Sequence, residues 1–250
     1  MVRGLDLWRE HCADFADAYV LIGGVACQLA MERLGGTFRA TQDLDIVLCL
    51  EHLDPAFIRA LWGFIRAGGY QTHARDDGHR RVYRFHKPAD DRYPTMLELF
   101  SRHPDGLDIN GESLLTPLPM SDDLSSLSAI LLDDDYYALI QAGRRVDDHI
   151  SYLAPEYLIP LKARAWLDLS ARRDAGERVD SSAIKKHRND CVRLAAIIPG
   201  NTRIPLTEPI RADIGRLIEG LSEHPVQPHA LGLIDIALAD ILALLHSVYM

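Results

Sequence analysis

The stretch from Tyr19 to Leu50, YVLIGGVACQLAMERLGGTFRATQDLDIVLCL, constrains this chain more than any other part of it. Tyr19 to Ile22 is a short apolar run of β-prone residues that stops at Gly23-Gly24. The missing Cβ atoms there permit a tight turn and close approach of backbone to a ligand. Helix formers follow from Val25 to Leu34, with Ala26, Leu29, Ala30 and Arg33 at helical spacings, and Gly35-Gly36 marks the stop. The pattern predicts a helix whose N-terminus faces whatever lies over Gly23 and Gly24. Its unpaired N–H groups and positive dipole end form a seat for a phosphate.

The second glycine pair leads into FRATQDLDIVLCL, where Asp43, Asp45 and Val47 alternate with Leu44, Ile46 and Leu48. That is the period of a strand, so both carboxylates project from one face. Residues two apart on a strand lie about 6–7 Å apart at Cα, a spacing at which two oxygen donors can share a divalent ion. Two like charges this close repel, and a hard cation carrying a triphosphate relieves the repulsion. Arg39 and Thr41 extend the same face, either to meet phosphate oxygens or to close the preceding loop. A bare Asp-x-Asp says little, and a second one at Asp133 and Asp135 reads as a solvated turn. The informative feature is the order: apolar strand, Gly-Gly, helix, acid-bearing strand.

A third acid lies in Met96-Leu97-Glu98-Leu99-Phe100, a lone carboxylate among large apolar side chains. Burying an unpaired carboxylate is costly, so Glu98 needs a cation or a donor unless it lies on an exposed edge strand. On a strand beside Asp43 and Asp45 it would complete a three-carboxylate metal site, as second-metal ligand or general base.

Gly-Gly, then Arg-x-Thr-x-Asp-x-Asp, then a later acidic strand resembles the DNA polymerase beta-type nucleotidyltransferase superfamily. More narrowly, the spacing of glycines and acids, the downstream helix with Lys162 and the run Lys186-His187-Arg188-Asn189-Asp190 resemble its AbiEii-like branch. That branch includes toxins of bacterial type IV toxin-antitoxin and abortive-infection systems. The resemblance implies an α/β (α+β) fold: a mixed sheet with flanking helices over 1–153 as catalytic domain, followed by a helical domain over 154–250. It implies Mg²⁺ (or Mn²⁺) held by Asp43, Asp45 and Glu98, and a nucleoside triphosphate bound by Gly23, Gly24, Arg39, Thr41, Lys162 and Asp190. It also implies an RNA acceptor, with the 3′ end of tRNA foremost, and a cognate antitoxin protein as partner. This chain departs from the superfamily in having Gly-Gly where Gly-Ser is common, so backbone N–H groups carry the phosphate role, and in having Glu rather than Asp as the third acid. Two alternatives keep the same fold: a small-molecule acceptor such as an aminoglycoside, and a catalytically idle nucleotide-binding module.

The rest of the chain agrees with an α/β start and a helical end. Asp54-Pro55 reads as a helix N-cap and first turn, with Phe57, Ile58, Leu61, Phe64 and Ile65 on one face before Gly68-Gly69. Tyr70–Ala74 and Arg81–Phe85 flank a turn at Asp76-Asp77-Gly78-His79, the mark of a hairpin. Ser128–Leu132 reads as a strand, Asp135–Ala142 as a short helix and Val146–Tyr152 as another strand. From Pro155 onward, Leu158, Leu161, Ala165 and Leu169 make a helical stripe beside Lys162. Pro160 within it predicts a kink. Lys162 either snorkels to water along that face or pairs with a triphosphate. Asp180 or Ser181 caps the next helix, in which Ile184, His187, Cys191 and Leu194 share a side. There Asp190 is an intrahelical partner of Lys186 or His187, or, on the resemblance, the acid that orients Lys162 or the nucleotide. The last helix is expected from about Ala230 to Val248.

The net charge of −9 argues against indiscriminate nucleic-acid binding, but its distribution is uneven. Lys162 to Arg193 holds nine basic residues against five acidic ones, either a polyanion surface or a solvated helical face. Four scattered cysteines, with no Cys-x-x-Cys, point away from zinc and disulfides. With no signal sequence and no apolar run of membrane-spanning length, the expectation is a soluble, cytoplasmic protein.

Overall fold

The computed structural model describes residues 2–36, 38–39, 41–52, 55–72, 83–100 and 133–250. Contacts divide the chain into two compact units, Met1–Met120 with Arg144–Leu153, and Ser121–Gly143 with Ala154–Met250.

The first unit is built on a mixed sheet. Its strands are β1 (Tyr19–Ile22), β2 (Asp43–Leu48), β3 (Gln71–Thr72), β4 (Tyr83–His86), β5 (Met96–Phe100), β6 (Arg144–Asp147) and β7 (Ile150–Leu153), in the order β3-β4-β5-β2-β1-β7-β6. The β2–β5 and β1–β7 pairs are parallel and the other pairs antiparallel. This is the mixed α/β architecture expected from the sequence. All four residues of β1 are buried, as expected of an apolar central strand covered on both faces. Helices α1 (Leu5–Cys12), α2 (Gly23–Glu32) and α3 (Pro55–Gly68) belong to the same unit. Trp8 of α1 is fully buried and meets Tyr19 of β1 and Phe64 of α3 edge-on, each at 5.2 Å between ring centroids. These T-shaped contacts are the favoured geometry for aromatic pairs.

Helix α2 starts two residues before the predicted Val25, because Gly23 takes a positive φ of 66° and turns the chain directly out of β1. It ends at Glu32, where the Gly36 N–H donates to the Met31 carbonyl at 2.9 Å and Gly35 has φ 70°. The expected hairpin is present as β3 against β4, with Gln71 opposite His86; its predicted turn at 76–79, the Asp54 cap and the 128–132 strand lie outside the described residues. The single strand predicted over Val146–Tyr152 is instead the hairpin β6–β7. It turns at Asp148 and His149 with φ 45° and 62°, so a left-handed turn forms without the usual glycine.

The second unit is helical where described: α4 (Asp134–Gly143), α5 (Pro155–Asp174), α6 (Ser181–Ala195), α7 (Glu208–Glu223) and α8 (Leu238–Tyr249). Residues 144–153 fall in the first unit and α4 in the second. Asp180 is the cap of α6, accepting from the Ser182 N–H at 2.8 Å. Helix α7, which begins at Glu208-Pro209, was unanticipated although proline in a first turn is a start signal. The final helix is shorter than predicted. Gly232, with φ 82°, ends a 3₁₀ turn at Pro228–Leu231, and α8 starts only at Leu238. Among the described residues no helix is long and apolar enough to cross a membrane.

Candidate active site

Strand register decides which acids meet. In the parallel β2–β5 pair, Asp45 stands opposite Glu98, and in the antiparallel β1–β2 pair Ile22 stands opposite Asp45. In the β4–β5 pair Arg84 stands opposite Glu98. Arg84, Glu98, Asp45 and Ile22 thus form one row across four strands. The start of β2 is clamped to β5 by the Thr95 N–H donating to the Gln42 carbonyl at 2.8 Å, and by the Thr95 hydroxyl 3.0 Å from Gln42 Oε1.

Because β1 ends level with Asp45, the first residue of α2 sits against that carboxylate. A Cβ on Gly23 would lie 1.6 Å from Asp45 Oδ2, which no side chain tolerates. Gly24 has a different neighbour: its Cβ would lie 2.7 Å from Thr41 Oγ1. The two glycines therefore admit two different side chains to the N-terminus of α2, Asp45 from β2 and Thr41 from the segment just before it. That terminus offers N–H groups and a positive dipole end, which favour negative charge beside them.

Glu98 is 2 % exposed. Its Oε1 accepts from Arg84 Nε at 2.6 Å, and a second guanidinium nitrogen lies 2.5 Å from the same oxygen. The cation or donor that the sequence required of Glu98 is thus Arg84, which sequence reasoning did not single out. The Arg81–Phe85 run reads as one arm of a hairpin, but no local pattern in it states that Arg84 faces Glu98. Desolvation is the largest influence on Glu98 and the charge of Asp45 the next; despite the opposing pull of Arg84 they push its carboxyl up to about 8. A hydrogen bond between the Asp45 and Glu98 side chains acts in the same direction. The pair therefore resists carrying two negative charges, and a bound cation would favour ionisation of both acids.

Asp43 lies on the same face of β2, half-buried like Asp45. Its charge helps to raise the Tyr70 phenol, chiefly raised by burial, well above the usual range; the phenol donates to the Pro94 carbonyl at 2.7 Å. Arg39 stacks over the Phe38 ring, 5.2 Å from its centroid. Among the described residues no three His, Cys, Asp or Glu side chains are gathered into a ready-made metal cage. The chemistry of the acid row nonetheless fits a hard divalent ion: oxygen donors on one face, with Glu98 short of positive charge.

The other predicted residues meet in the second unit. Lys162 of α5 is 5 % exposed and does not snorkel. Its Nζ lies 3.5 Å from Oδ2 of Asp190 on α6, an acid with no exposure, whose Oδ1 lies 3.7 Å from Arg193. Asp190 thus reaches across to another helix. A groove of about 500 Å³ among α5, α6 and α7 is lined by Trp166, Arg173, Lys185, Arg188, Arg216 and His224, with Asp174, Glu219 and Glu223 also on its wall. Part of the basic segment noted in the sequence therefore faces a groove.

No protein-family profile matches this sequence, and no curated protein is similar to it. Among solved structures, the crystal structure of an antigenic nucleotidyltransferase-like protein from Paracoccidioides brasiliensis is similar, at 16% identity and a TM-score of 0.46, over 96% of this chain and 94% of that one.

Proposed function

We propose that this protein is a Mg²⁺-dependent (or Mn²⁺-dependent) nucleotidyltransferase. The observation that carries the reading is the register that sets Asp45 between Glu98 and the N-terminus of α2, with Gly23 making room for the carboxylate. An anion seat beside a row of oxygen-donor acids suits a metal–triphosphate substrate.

In the reaction, an acceptor hydroxyl oxygen attacks the α-phosphorus of the nucleoside triphosphate in line, its proton passes to solvent, and the bond to the leaving pyrophosphate breaks. Asp43 and Asp45 hold the divalent ion, with Glu98 as the adjoining third carboxylate. When bound, the ion supplies Lewis-acid stabilisation of charge on phosphoryl oxygens. The N–H groups at Gly23 and Gly24 receive phosphate oxygens, with Arg39 and Thr41 at the approach. The acceptor is RNA, foremost the 3′ end of tRNA. The basic residues lining the α5–α7 groove support that choice. In the cell the protein would act as the toxin of a toxin-antitoxin pair in the cytoplasm, restrained by a cognate antitoxin.

The test is transfer of α-labelled ATP, CTP, GTP and UTP, one at a time with Mg²⁺, to total tRNA and, in a parallel arm, to an aminoglycoside. Label is expected on tRNA, weakening steeply with added salt as counterion release requires. Label on the aminoglycoside alone would replace the RNA reading with a small-molecule one. Metal-dependent nucleotide binding with no transfer in either arm would leave an idle nucleotide-binding module.

A further inference from the structure

We propose that Arg84 is a positioning residue that occupies Glu98 as a built-in cation, keeping Glu98 out of the metal shell and aligned with Asp45. The proposal rests on the metal-dependent reading above and changes one part of it: the metal seat is Asp43 and Asp45, not three carboxylates.

The first support is the row itself. Arg84, Glu98 and Asp45 are register partners on three adjacent strands, β4, β5 and β2. Their backbones are locked by sheet hydrogen bonds, so the side-chain order across the face is set by the fold and not by a flexible loop. The second is the contact. Arg84 Nε donates to Glu98 Oε1 at 2.6 Å, a second guanidinium nitrogen lies 2.5 Å from the same oxygen without hydrogen-bond geometry, and the side chains are 19% and 3% exposed. A charge-assisted contact this short and this buried is strong, and a planar guanidinium fixes its partner's orientation as an ammonium does not. The third is charge. A divalent ion ligated by Glu98 would face a fixed positive guanidinium across the same carboxylate, and in a dry site that repulsion is large. The absence of a three-acid cage among the described residues agrees with this division of labour.

Arg84 therefore does for Glu98 what a second cation would do, without leaving the site. Glu98 is held beside Asp45, limiting the orientations open to the metal-binding carboxylate. The cost of losing Arg84 should appear as poorer turnover but easier metal capture.

The experiment uses the full chain with Arg84→Met, Arg84→Lys, Glu98→Gln and the Arg84→Met/Glu98→Gln double variant. Mn²⁺ affinity is measured without nucleotide by electron paramagnetic resonance, and pyrophosphate release is followed separately. In Arg84→Met, Glu98 is free to turn to the ion and give up its proton on ligation, so Mn²⁺ binding should tighten by about tenfold. Turnover should fall by about tenfold or more with KM for the triphosphate little changed, the signature of lost positioning. Arg84→Lys should restore part of both, and the Mn²⁺ effect should vanish in the Glu98→Gln background. If Arg84→Met does not fold, Arg84→Gln, which keeps a donor without the charge, carries the same test.

Unchanged or weaker Mn²⁺ binding in the charge-removing variant would overturn the proposal, as would an equal gain in the Glu98→Gln background. So would a wild type that binds no Mn²⁺. A wild type that shows the Mn²⁺ pattern but releases no pyrophosphate with any nucleotide would uphold the role of Arg84 and defeat the transferase reading.

Discussion

The two units each bury a cluster of charges, and the clusters lean in opposite directions. In the sheet, Asp45 and Glu98 press together against Arg84, and Glu98 is raised because that cation does not compensate for burial and its acidic neighbour. In the helices, a fully buried Asp190 receives Lys162 and Arg193 at 3.5 and 3.7 Å. One site thus crowds two carboxyl groups around one cation, and the other draws two cations to one acid. Crowded carboxyl groups favour a metal ion that can displace their proton. The difference also shows in how each is built. Register across strands admits no adjustment, whereas the Lys162–Asp190 contact comes from two packed helices and is long for an ion pair.

The contrast breaks first in the helical cluster. Replacing Lys162 by Met leaves Asp190 buried with less compensation, and breaking a buried pair from one side costs about 3 kcal/mol. Urea unfolding should show that loss, and the Lys162→Met/Asp190→Leu double variant should recover much of it. If the single variant is as stable as wild type, the pair is not the buried ion pair described. Next comes Gly23→Ala in the sheet unit. Its Cβ would overlap Asp45 Oδ2, and the position has φ 66°, so a loss of about 2 kcal/mol is expected together with impaired metal binding. The same change at Gly200, where a Cβ meets nothing within 4 Å, is the control and should leave stability nearly unchanged.

The smallest effect is the pH dependence of the metal-free protein. Glu98 is raised in the folded state to about 8. Relative to an unfolded carboxyl near pH 4, it contributes stability that is complete below the unfolded value and is lost as pH rises through the folded one. Thermal unfolding of metal-free protein should therefore occur at falling temperature between about pH 5 and pH 8. Glu98→Gln should flatten that slope, and so should saturating Mn²⁺. A slope unchanged by Glu98→Gln would place its origin elsewhere.

Much of this site was legible because it rests on short periods. Alternation through Asp43–Leu48 and Met96–Phe100 placed the acids on strands, and Gly23-Gly24 marked the turn before them. Register between distant strands was not legible, since no local pattern states that residue 45 faces residue 98 or that residue 84 faces it from the other side. Arg84 was missed for that reason. Periodicity likewise identified Lys162 as facing an apolar stripe without revealing that α6 brings Asp190 to it. The errors in local structure have equally local causes. Asp148-His149 makes a left-handed turn without glycine, and Gly232 ends the 3₁₀ turn well before α8 begins.

The most direct test of the central claim is pyrophosphate release from nucleoside triphosphate by wild type and Asp45→Asn in the presence of tRNA, with circular dichroism to confirm that both are folded. The charge is removed and the shape kept, so release should fall by roughly three orders of magnitude, the scale of losing several kcal/mol of metal-centred stabilisation. A folded Asp45→Asn protein that releases pyrophosphate as fast as wild type would contradict the account.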